Sequence, residues 1–189
     1  MRKRAEQVDE TRQRIVDAAV HLHGTVGPAE TTIAGIAEQA GVTRLTVYRH
    51  FPDDEALFAV CSAQWLSQQN LPDPDVWAQL ADPEERLRAG LTDLYRFYRE
   101  GQSMLTMVYR DLDALPAKLR QPVIDTDRRH RDVLLGGFGT GGATRRRLRA
   151  VLGHAVAFDT WRSLCVEHGL SQQDAVKAMV ALTLTVASW

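Results

Sequence analysis

Residues 41–58, GVTRLTVYRHFPDDEALF, hold the densest group of side chains suited to contact a polyanion. Arginine offers a planar fork of donors, and threonine, tyrosine and histidine donate single hydrogen bonds. Val47 and Phe51 are four residues apart, so both lie on one face of a helix and leave the polar side chains on the other. The eight residues 43–50 are too few to form a stable helix alone. The segment therefore needs a packed scaffold to present its polar face.

The sequence before this segment predicts such a scaffold. Apolar residues at positions 15, 18, 19 and 22 have the spacing of one face of a helix over about residues 11–23. Thr31 or Thr32 is placed to cap a second helix over residues 33–40. Gly41 would end that helix in the left-handed conformation that glycine tolerates, and Thr43 would cap the third helix. Two helices joined by a short glycine-containing turn predict a helix-turn-helix.

The rest of the chain also has helical spacing. Asp53 is placed to cap a fourth helix over about residues 53–70. Further helices are predicted from residue 83 and over 103–114, 117–137, 144–168 and 172–188. No alternating stretch is long enough to form a sheet. The sequence therefore predicts an all-α protein.

The last two predicted helices, 144–168 and 172–188, are apolar around much of their circumference. A helix with more than one apolar side must bury more than one side. In a chain of 189 residues, the second side is expected to pack against another copy of the chain, and closed twofold dimers are the commonest assembly. We therefore expect a homodimer formed through these two helices.

The composition narrows the class of protein. Apolar residues make up 44% and charged residues 25%, which are ordinary values for a soluble globular chain. No run approaches the roughly 20 apolar residues that span a bilayer, and the two isolated cysteines suit a reducing cytoplasm. The net charge is −1, and residues 1–55 carry seven Lys/Arg against nine Asp/Glu. Any contact with nucleic acid must therefore depend on where a few cations lie.

Signals for catalysis, metals and cofactors are weak. Residues 137–142 match the pattern GxGxxG, but no strand precedes them, as a dinucleotide site requires. The six histidines and two cysteines lack metal-ligand spacing, and no nucleophile–base or carboxylate pair stands out. We expect no catalytic set, no metal and no cofactor.

Residues 14–58, RIVDAAVHLHGTVGPAETTIAGIAEQAGVTRLTVYRHFPDDEALF, resemble the DNA-binding domain of the tetracycline-repressor-like (TetR) family of transcriptional regulators. The matching motifs are Ile-x-x-Ala-Ala at 15–19, Thr-Thr at 31–32, Ile-Ala at 36–37, Ala-Gly-Val at 40–42, Tyr-x-His-Phe at 48–51 and Glu-Ala-Leu at 55–57. The resemblance implies a three-helix DNA-binding domain over residues 1–52 with a basic N-terminal arm. It also implies a helical ligand-binding and dimerisation domain over residues 53–189.

The resemblance also implies the contacts with double-stranded operator DNA. The residues at its phosphate-binding positions are Thr32, Thr43, Tyr48 and His50. The second helix of a helix-turn-helix lies in the major groove with its first residues at the base edges. The remaining outward residues, expected to face the bases, are Arg44, Leu45, Thr46 and Arg49. Arginine suits O6 and N7 of guanine, and an apolar methyl group packs on thymine.

Four positions depart from the usual family pattern. His23 stands where an aromatic core residue is common, Ala34 where a base-reading polar residue is common, and Leu45 where a small residue is frequent. Asp54 stands where a phosphate-binding lysine is very frequent. We expect base reading to shift onto residues 44–49. We also expect Asp54 to favour its helix dipole at the expense of phosphate attraction.

A ligand site is predicted in the C-terminal part of the chain. Asp127 and His130 are three residues apart in the middle of an apolar helical arc. Buried polar groups need partners, so these two side chains either satisfy each other or a neighbouring helix, or they line a pocket. The other residues expected to line such a pocket are Trp65, Tyr95, Tyr98, Met104, Met107 and Phe158. Ligand pockets are mostly apolar with a few orienting polar groups.

Together these observations predict a cytoplasmic, homodimeric DNA-binding repressor. A small, largely apolar or aromatic ligand would release it from its operator. Two alternatives remain open. One is a helical small-molecule-binding protein with a weak or vestigial DNA-reading head, which Asp54 and the acidic balance favour. The other is a helical-bundle enzyme, which ligand turnover would reveal.

Overall fold

The structure is a computed structural model that describes the backbone of residues 2–188 and the side chains of residues 6–188. The first seven helices are α1 Arg2–Thr25, α2 Ile33–Ala40, α3 Arg44–His50, α4 Asp54–Ser67, α5 Pro74–Ala78, α6 Pro83–Glu100 and α7 Gln102–Asp111. A 3₁₀ turn follows at Leu112–Ala114. The remaining elements are α8 Ala117–Gly136, α9 Gly142–Ala155, α10 Phe158–Trp161, a π-helical turn Arg162–Glu167, and α11 Gln172–Ala187. These elements confirm the predicted all-α fold, and no strand occurs in residues 2–188. Within the same residues, every helix is too short or too polar to cross a lipid bilayer.

The helices form two compact units. The first unit comprises Met1–Gln69 and Gln102–Gln121, and the second comprises Asn70–Gly101 and Pro122–Trp189. Packing therefore groups α4 and α7 with the three N-terminal helices. The boundary predicted after residue 52 separates a DNA-binding function from a ligand-binding function, not two packed units. It stays a prediction.

The core of the first unit forms around α1. Its buried apolar residues are Ile15, Val16, Ala18, Ala19, Ile36, Ala37, Ala40, Val47, Phe51, Leu57 and Cys61. These residues come from α1, α2, α3 and α4, so one core holds the two helices of the helix-turn-helix. Full burial of a valine or isoleucine side chain stabilises a fold by about 1.5–3 kcal/mol. This packing supplies the scaffold that the seven-residue α3 requires.

Side-chain caps define where α2, α3 and α4 begin. Thr32, Thr43 and Asp53 each accept a hydrogen bond from the backbone N–H three residues further on, at 3.1, 3.2 and 2.7 Å. Gly41 ends α2 in the left-handed conformation, with φ of 65°. These observations confirm the predicted caps. Each cap of this kind stabilises a helix by about 1 kcal/mol.

The N-terminal end of α1 differs from the prediction. The sequence predicted a first helix from residue 11 and a separate basic arm, whereas the backbone is helical from Arg2. Residues 2–10 contain neither glycine nor proline and are rich in Arg, Lys, Glu and Gln, which favour a helix. The side chains of the basic residues at positions 2–4 lie outside the described part of the chain.

A buried carboxylate ties the turn between α1 and α2 to the end of α7. Asp111 accepts a hydrogen bond from the backbone N–H of Ala29 at 3.0 Å and from Nε of Arg110 at 2.7 Å. Arg110 also donates to the carbonyl of Val26 at 2.7 Å. Gly27 has φ of 101°, and a Cβ there would lie 2.3 Å from the Asp111 carboxylate, so only glycine fits this turn. The Arg110 guanidinium holds the pKa of Asp111 below its usual value.

We expect Asp111→Asn to lower the free energy of unfolding by about 1–3 kcal/mol at neutral pH, because a buried charge-assisted hydrogen-bond network loses its charge. The pKa of Asp111 is lowered in the folded state, so its contribution is present above the ordinary aspartate value of about 3.9 and is lost as the pH falls. Urea unfolding of both proteins at neutral and acid pH measures this difference, which should narrow in acid. Asp113→Asn is the matched control, since Asp113 is exposed in the adjoining turn. Equal losses in the two variants would contradict the assigned role.

The core of the second unit forms around α6. Leu87, Leu91 and Leu94 are fully buried on one side of this helix. On Gly90 a Cβ would lie 2.6 Å from Leu134 of α8, so this helix crossing requires glycine. Trp77 of the short helix α5 is also buried, and its indole N–H donates to Asp93 of α6 at 3.1 Å.

The helix predicted over residues 144–168 is broken. The chain leaves the α-helix after Ala155, resumes at Phe158, and then forms the π-helical turn. Three consecutive carbonyls at the break accept hydrogen bonds from side-chain hydroxyls. The pairs are Thr160 with His154 at 2.6 Å, Tyr95 with Ala155 at 3.0 Å, and Tyr98 with Val156 at 2.6 Å. The carbonyl of His154 also accepts the backbone N–H of Ala157 at 3.1 Å. At Ala155 and Val156 the tyrosine hydroxyls replace the missing helical N–H donors, so these carbonyls are not left unpaired.

Candidate nucleic-acid interface

The third helix presents a face that belongs to no core. Val47 and Phe51 point into the first unit, while Leu45 is 61% exposed and Tyr48 is 51% exposed. Arg44 and Arg49 are also exposed, and the residues at 44, 45, 48 and 49 share one side of the helix. Large apolar side chains left in solvent beside arginines are typical of a surface that contacts a partner.

The arginines on this face have no ion-pair partner among the described side chains. Neither Arg44 nor Arg49 forms an ion pair with another described side chain. An unpaired guanidinium keeps its donor fork available for a base edge or a phosphate. Three carboxylates follow α3 in the sequence, at positions 53–55. Asp53 caps α4, and Oε2 of Glu55 lies 3.1 Å from Nζ of Lys118.

Two threonines expected to contact phosphate also cap helices. Thr32 accepts the N–H of Gly35 through its hydroxyl oxygen, which leaves the hydroxyl hydrogen free to donate elsewhere. The Thr43 and Thr46 hydroxyls lie 2.9 Å apart and share a hydrogen bond. His50 lies half-buried at the end of α3. All eight predicted DNA-contact residues lie on or at the starts of α2 and α3.

His23, which departs from the family pattern, has an aromatic partner. Its ring is buried and lies 5.3 Å from the ring of Phe58 between their centroids. Burial lowers the pKa of His23 to about 4, so the imidazole is neutral at neutral pH. A neutral histidine therefore fills the place of an aromatic core residue.

The predicted ligand-site residues divide between the two units. Trp65, Met104 and Met107 belong to the first unit, where the Met104 side chain packs near Gly24 of α1. The other five belong to the second unit: Tyr95, Tyr98, Asp127, His130 and Phe158.

In the second unit, Tyr98 lies 6.3 Å from Tyr95 and 5.5 Å from Phe158 between ring centroids. His130 lies apart from this group, 5.5 Å from the Trp77 ring, and burial lowers its pKa to about 4. Its Nδ1 has no hydrogen-bond partner among the described residues.

Two functional candidates were not named as site residues from the sequence. Asp111 depends on contacts with residues more than 80 positions away, which local periodicity does not show. In the sequence, Trp161 is only one of the apolar residues of the helix predicted over 144–168. A tryptophan on such a stripe carries an N–H that needs an acceptor, so its residue type was a usable signal. No group of three or more metal-ligating side chains occurs among the described residues.

Comparison with known proteins identifies the domain that carries this interface. Residues 15–61 match the family model for bacterial regulatory proteins of the tetR family. Residues 15–61 are therefore a TetR-family DNA-binding domain. This confirms the resemblance found in the sequence, and the match runs from α1 into α4.

Similar proteins in the TetR family are transcriptional regulators. The HTH-type transcriptional regulator AcrR of Shigella flexneri is 38% identical over 87 residues, which cover 46% of this chain and 39% of AcrR. The probable acrEF/envCD operon repressor of Escherichia coli K12 is 30% identical over 131 residues, which cover 65% of this chain and 57% of the repressor. The chain thus spans less than two thirds of either relative. Both relatives are named as regulators of transcription, and the expectation that this chain is not an enzyme agrees with those names.

The fold extends the likeness beyond the DNA-binding domain. The crystal structure of the regulator FadR from Bacillus subtilis, in complex with stearoyl-CoA, aligns with a TM-score of 0.56 and 19% identity. The alignment covers 93% of this chain and 95% of that one. An N-terminal helix-turn-helix domain followed by a helical C-terminal region is therefore the fold of this chain.

Asp54 tests whether the start of α4 approaches the DNA backbone. It is exposed in the first turn of α4, one residue beyond the cap Asp53. A carboxylate there interacts favourably with the helix dipole by about 0.3–1 kcal/mol and repels a phosphate. We expect Asp54→Lys to bind DNA more tightly, whether the sequence is specific or not. Its plot of log affinity against log salt should steepen by about 0.9 for one added phosphate contact.

Salt titrations on operator and scrambled DNA measure the effect of Asp54→Lys. Asp113→Lys is the matched control, because it makes the same charge change at an exposed residue in the turn after α7. If both variants show the slope of the unaltered protein, Asp54 does not approach the DNA backbone.

Proposed function

We propose that this protein is a homodimeric repressor that binds a near-palindromic operator and leaves it when a small, largely apolar or aromatic ligand binds. The observation that supports DNA binding best is the exposed face of α3, where arginines that form no ion pair with a described side chain flank an exposed leucine and tyrosine. A regulator of a bacterial operator works in the cytoplasm, and this location is part of the proposal.

In this proposal the outward residues of α3 and the caps of α2 and α3 make two kinds of contact, with bases and with phosphates. Arg44, at the first position of the helix, donates to O6 and N7 of guanine. Leu45 and Thr46 pack methyl groups on thymine. Thr32, Thr43, Tyr48 and His50 contact phosphates, which set the register of the helix without reading sequence. Arg49 adds a second donor fork on the same face.

The test is selection of bound sites from random DNA by the unaltered protein and by Arg44→Ala. We expect two half-sites related by twofold symmetry, with centres separated by about one helical turn or a multiple of it. Arg44→Ala should lose about 1–3 kcal/mol of binding free energy and relax the preference at one position of each half-site. Arg146→Ala, an exposed arginine of α9, is the control and should leave the selected site unchanged. An unchanged site with Arg44→Ala would show that another residue reads the base.

The dimer is proposed to form through the last helices. Residues 178–189 contain no charged side chain. Within α11, Val176, Met179 and Val180 are buried in the protomer, while Leu182 is 56% exposed. Val166 of the π-helical turn is also exposed. An uncharged outer helix face with exposed apolar side chains favours burial against a second copy.

We expect Leu182→Asp to give a monomer, because the charge would be buried without a partner in the dimer interface. Its effect on unfolding of the protomer should be small, since the Leu182 side chain is exposed there. Val180→Asp would not test the dimer interface, because Val180 lies in the protomer core and a charge there would destabilise the protomer itself. Sedimentation equilibrium and operator binding measure the outcome, with Gln173→Asp as an exposed control on the same helix. A monomeric unaltered protein at micromolar concentration, or a dimeric Leu182→Asp, would refute this interface.

Ligand release completes the proposal. The fold neighbour FadR was crystallised with stearoyl-CoA, so a chain of this architecture can hold a ligand with a long apolar part. Coupling between sites is reciprocal, so operator DNA must weaken ligand binding by the same factor by which ligand weakens DNA binding.

A further inference from the structure

A cluster of aromatic rings lies beside the helix break in the second unit. Tyr98, Phe158 and Trp161 are each at most 2% exposed. The Tyr98 and Phe158 rings meet edge to face at 5.5 Å, and Trp161 lies 5.4 Å from Phe158 and 6.1 Å from Tyr98 between centroids. Such offset and edge-to-face contacts are the geometry that aromatic rings prefer.

The polar atoms of this cluster are satisfied with one exception. The Tyr95 and Tyr98 hydroxyls donate to the carbonyls of Ala155 and Val156. The buried Nε1–H of Trp161 has no partner among the described residues. Most buried polar groups in proteins are hydrogen-bonded, so each exception calls for an explanation. An indole nitrogen only donates, and therefore the missing partner must be an acceptor.

The backbone around Trp161 is also irregular. Trp161 ends the four-residue helix α10, between the break after Ala155 and the π-helical turn that starts at Arg162. Short π-helical segments are rare and occur frequently at functional sites. The irregular backbone sets the orientation of Trp161, and the hydroxyls of α6 and Thr160 hold that backbone in place.

The charges near Trp161 indicate whether the acceptor of its N–H is charged or neutral. The nearest charged residue in sequence, Arg162, lies 3.5 Å from carboxylate oxygens of both Asp159 and Glu167. These two carboxylates balance its charge, although the buried Nε–H of Arg162 also has no hydrogen-bond partner among the described residues. A charged ligand buried among aromatic rings would need its own counter-charge, whereas a neutral carbonyl needs only a donor.

We propose that Trp161 is the polar anchor of a ligand site in this aromatic cluster, and that the ligand is a neutral aromatic compound with a carbonyl oxygen that accepts the indole N–H. The inference rests on the proposed ligand-released function and names the ligand class and its anchoring residue. The rings of Tyr98 and Phe158 stack on the aromatic part, and Trp161 orients the carbonyl.

The experiment uses two probes of almost the same shape. Acetophenone carries a carbonyl where α-methylstyrene carries a methylene group. The indole N–H resonances of the ¹⁵N-labelled protein are recorded during titration with each probe, and Trp161→Phe identifies the Trp161 signal. We expect acetophenone to move that signal downfield and to bind roughly three- to tenfold tighter than α-methylstyrene, the gain of one net hydrogen bond. Trp161→Phe should remove this preference.

The Trp77 signal is the internal control, because its N–H already donates to Asp93 and should not move. Absence of binding by both probes at millimolar concentration would overturn the proposal. So would a preference for acetophenone that persists in Trp161→Phe, or a Trp161 signal that stays in place while acetophenone binds. These results come from the unaltered protein as well, so the test does not depend on folding of the variant.

Operator affinity, measured with and without acetophenone, separates this site from the proposed function. Binding through Trp161 together with weaker operator binding supports both. Binding through Trp161 with unchanged operator affinity supports the site and overturns ligand release. Operator binding without any effect of either probe on the Trp161 signal overturns the site and leaves the DNA-binding function intact.

Discussion

The seven residues of α3 are too few to remain helical in water without support, and most of the first unit provides that support. Val47 and Phe51 enter a core built on α1 and closed by α2 and α4. Because these two apolar residues are four apart, burying them fixes the rotation of the helix. The exposed face at 44, 45, 48 and 49 is therefore a consequence of core packing. The capping hydroxyl of Thr43 and the left-handed Gly41 then set where the helix begins.

The turn before α2 also depends on an element outside the helix-turn-helix. Asp111 at the end of α7 caps the turn before α2, and Arg110 binds the carbonyl of that turn. Gly27 allows this close approach, since any side chain there would meet both groups. The position of α2 thus depends on a residue far along the chain. Since α7 lies in the unit that contains α3, this contact is part of the packing that supports the helix-turn-helix.

The need to pair buried backbone carbonyls explains the side chains around the helix break in the second unit. A helix that ends within a protein leaves carbonyls without N–H donors, and burying them unpaired is costly. Here Tyr95, Tyr98 and Thr160 supply hydroxyl donors to the three carbonyls at the break. Tyr95 and Tyr98, expected from the sequence to line a pocket, therefore hold the backbone through their hydroxyls, and only their rings remain to contact a ligand. The buried N–H of Trp161, beside these tyrosines, is among the polar groups that no described residue satisfies.

The sequence by itself determined the helical fold, the caps of α2, α3 and α4, and the inward and outward faces of α3. These features depend on residues within about one or two helical turns of each other, so periodicity and residue type are sufficient to predict them. The family followed from the same segment, because its motif residues lie within 45 positions. Only the tertiary structure decided the break in the helix predicted over 144–168 and the cap on the turn before α2. These depend on hydrogen bonds between residues 58, 60 and 82 positions apart, which no local pattern encodes. The extension of α1 to Arg2 was missed for a different reason, since a helix without breakers continues beyond its last apolar contact.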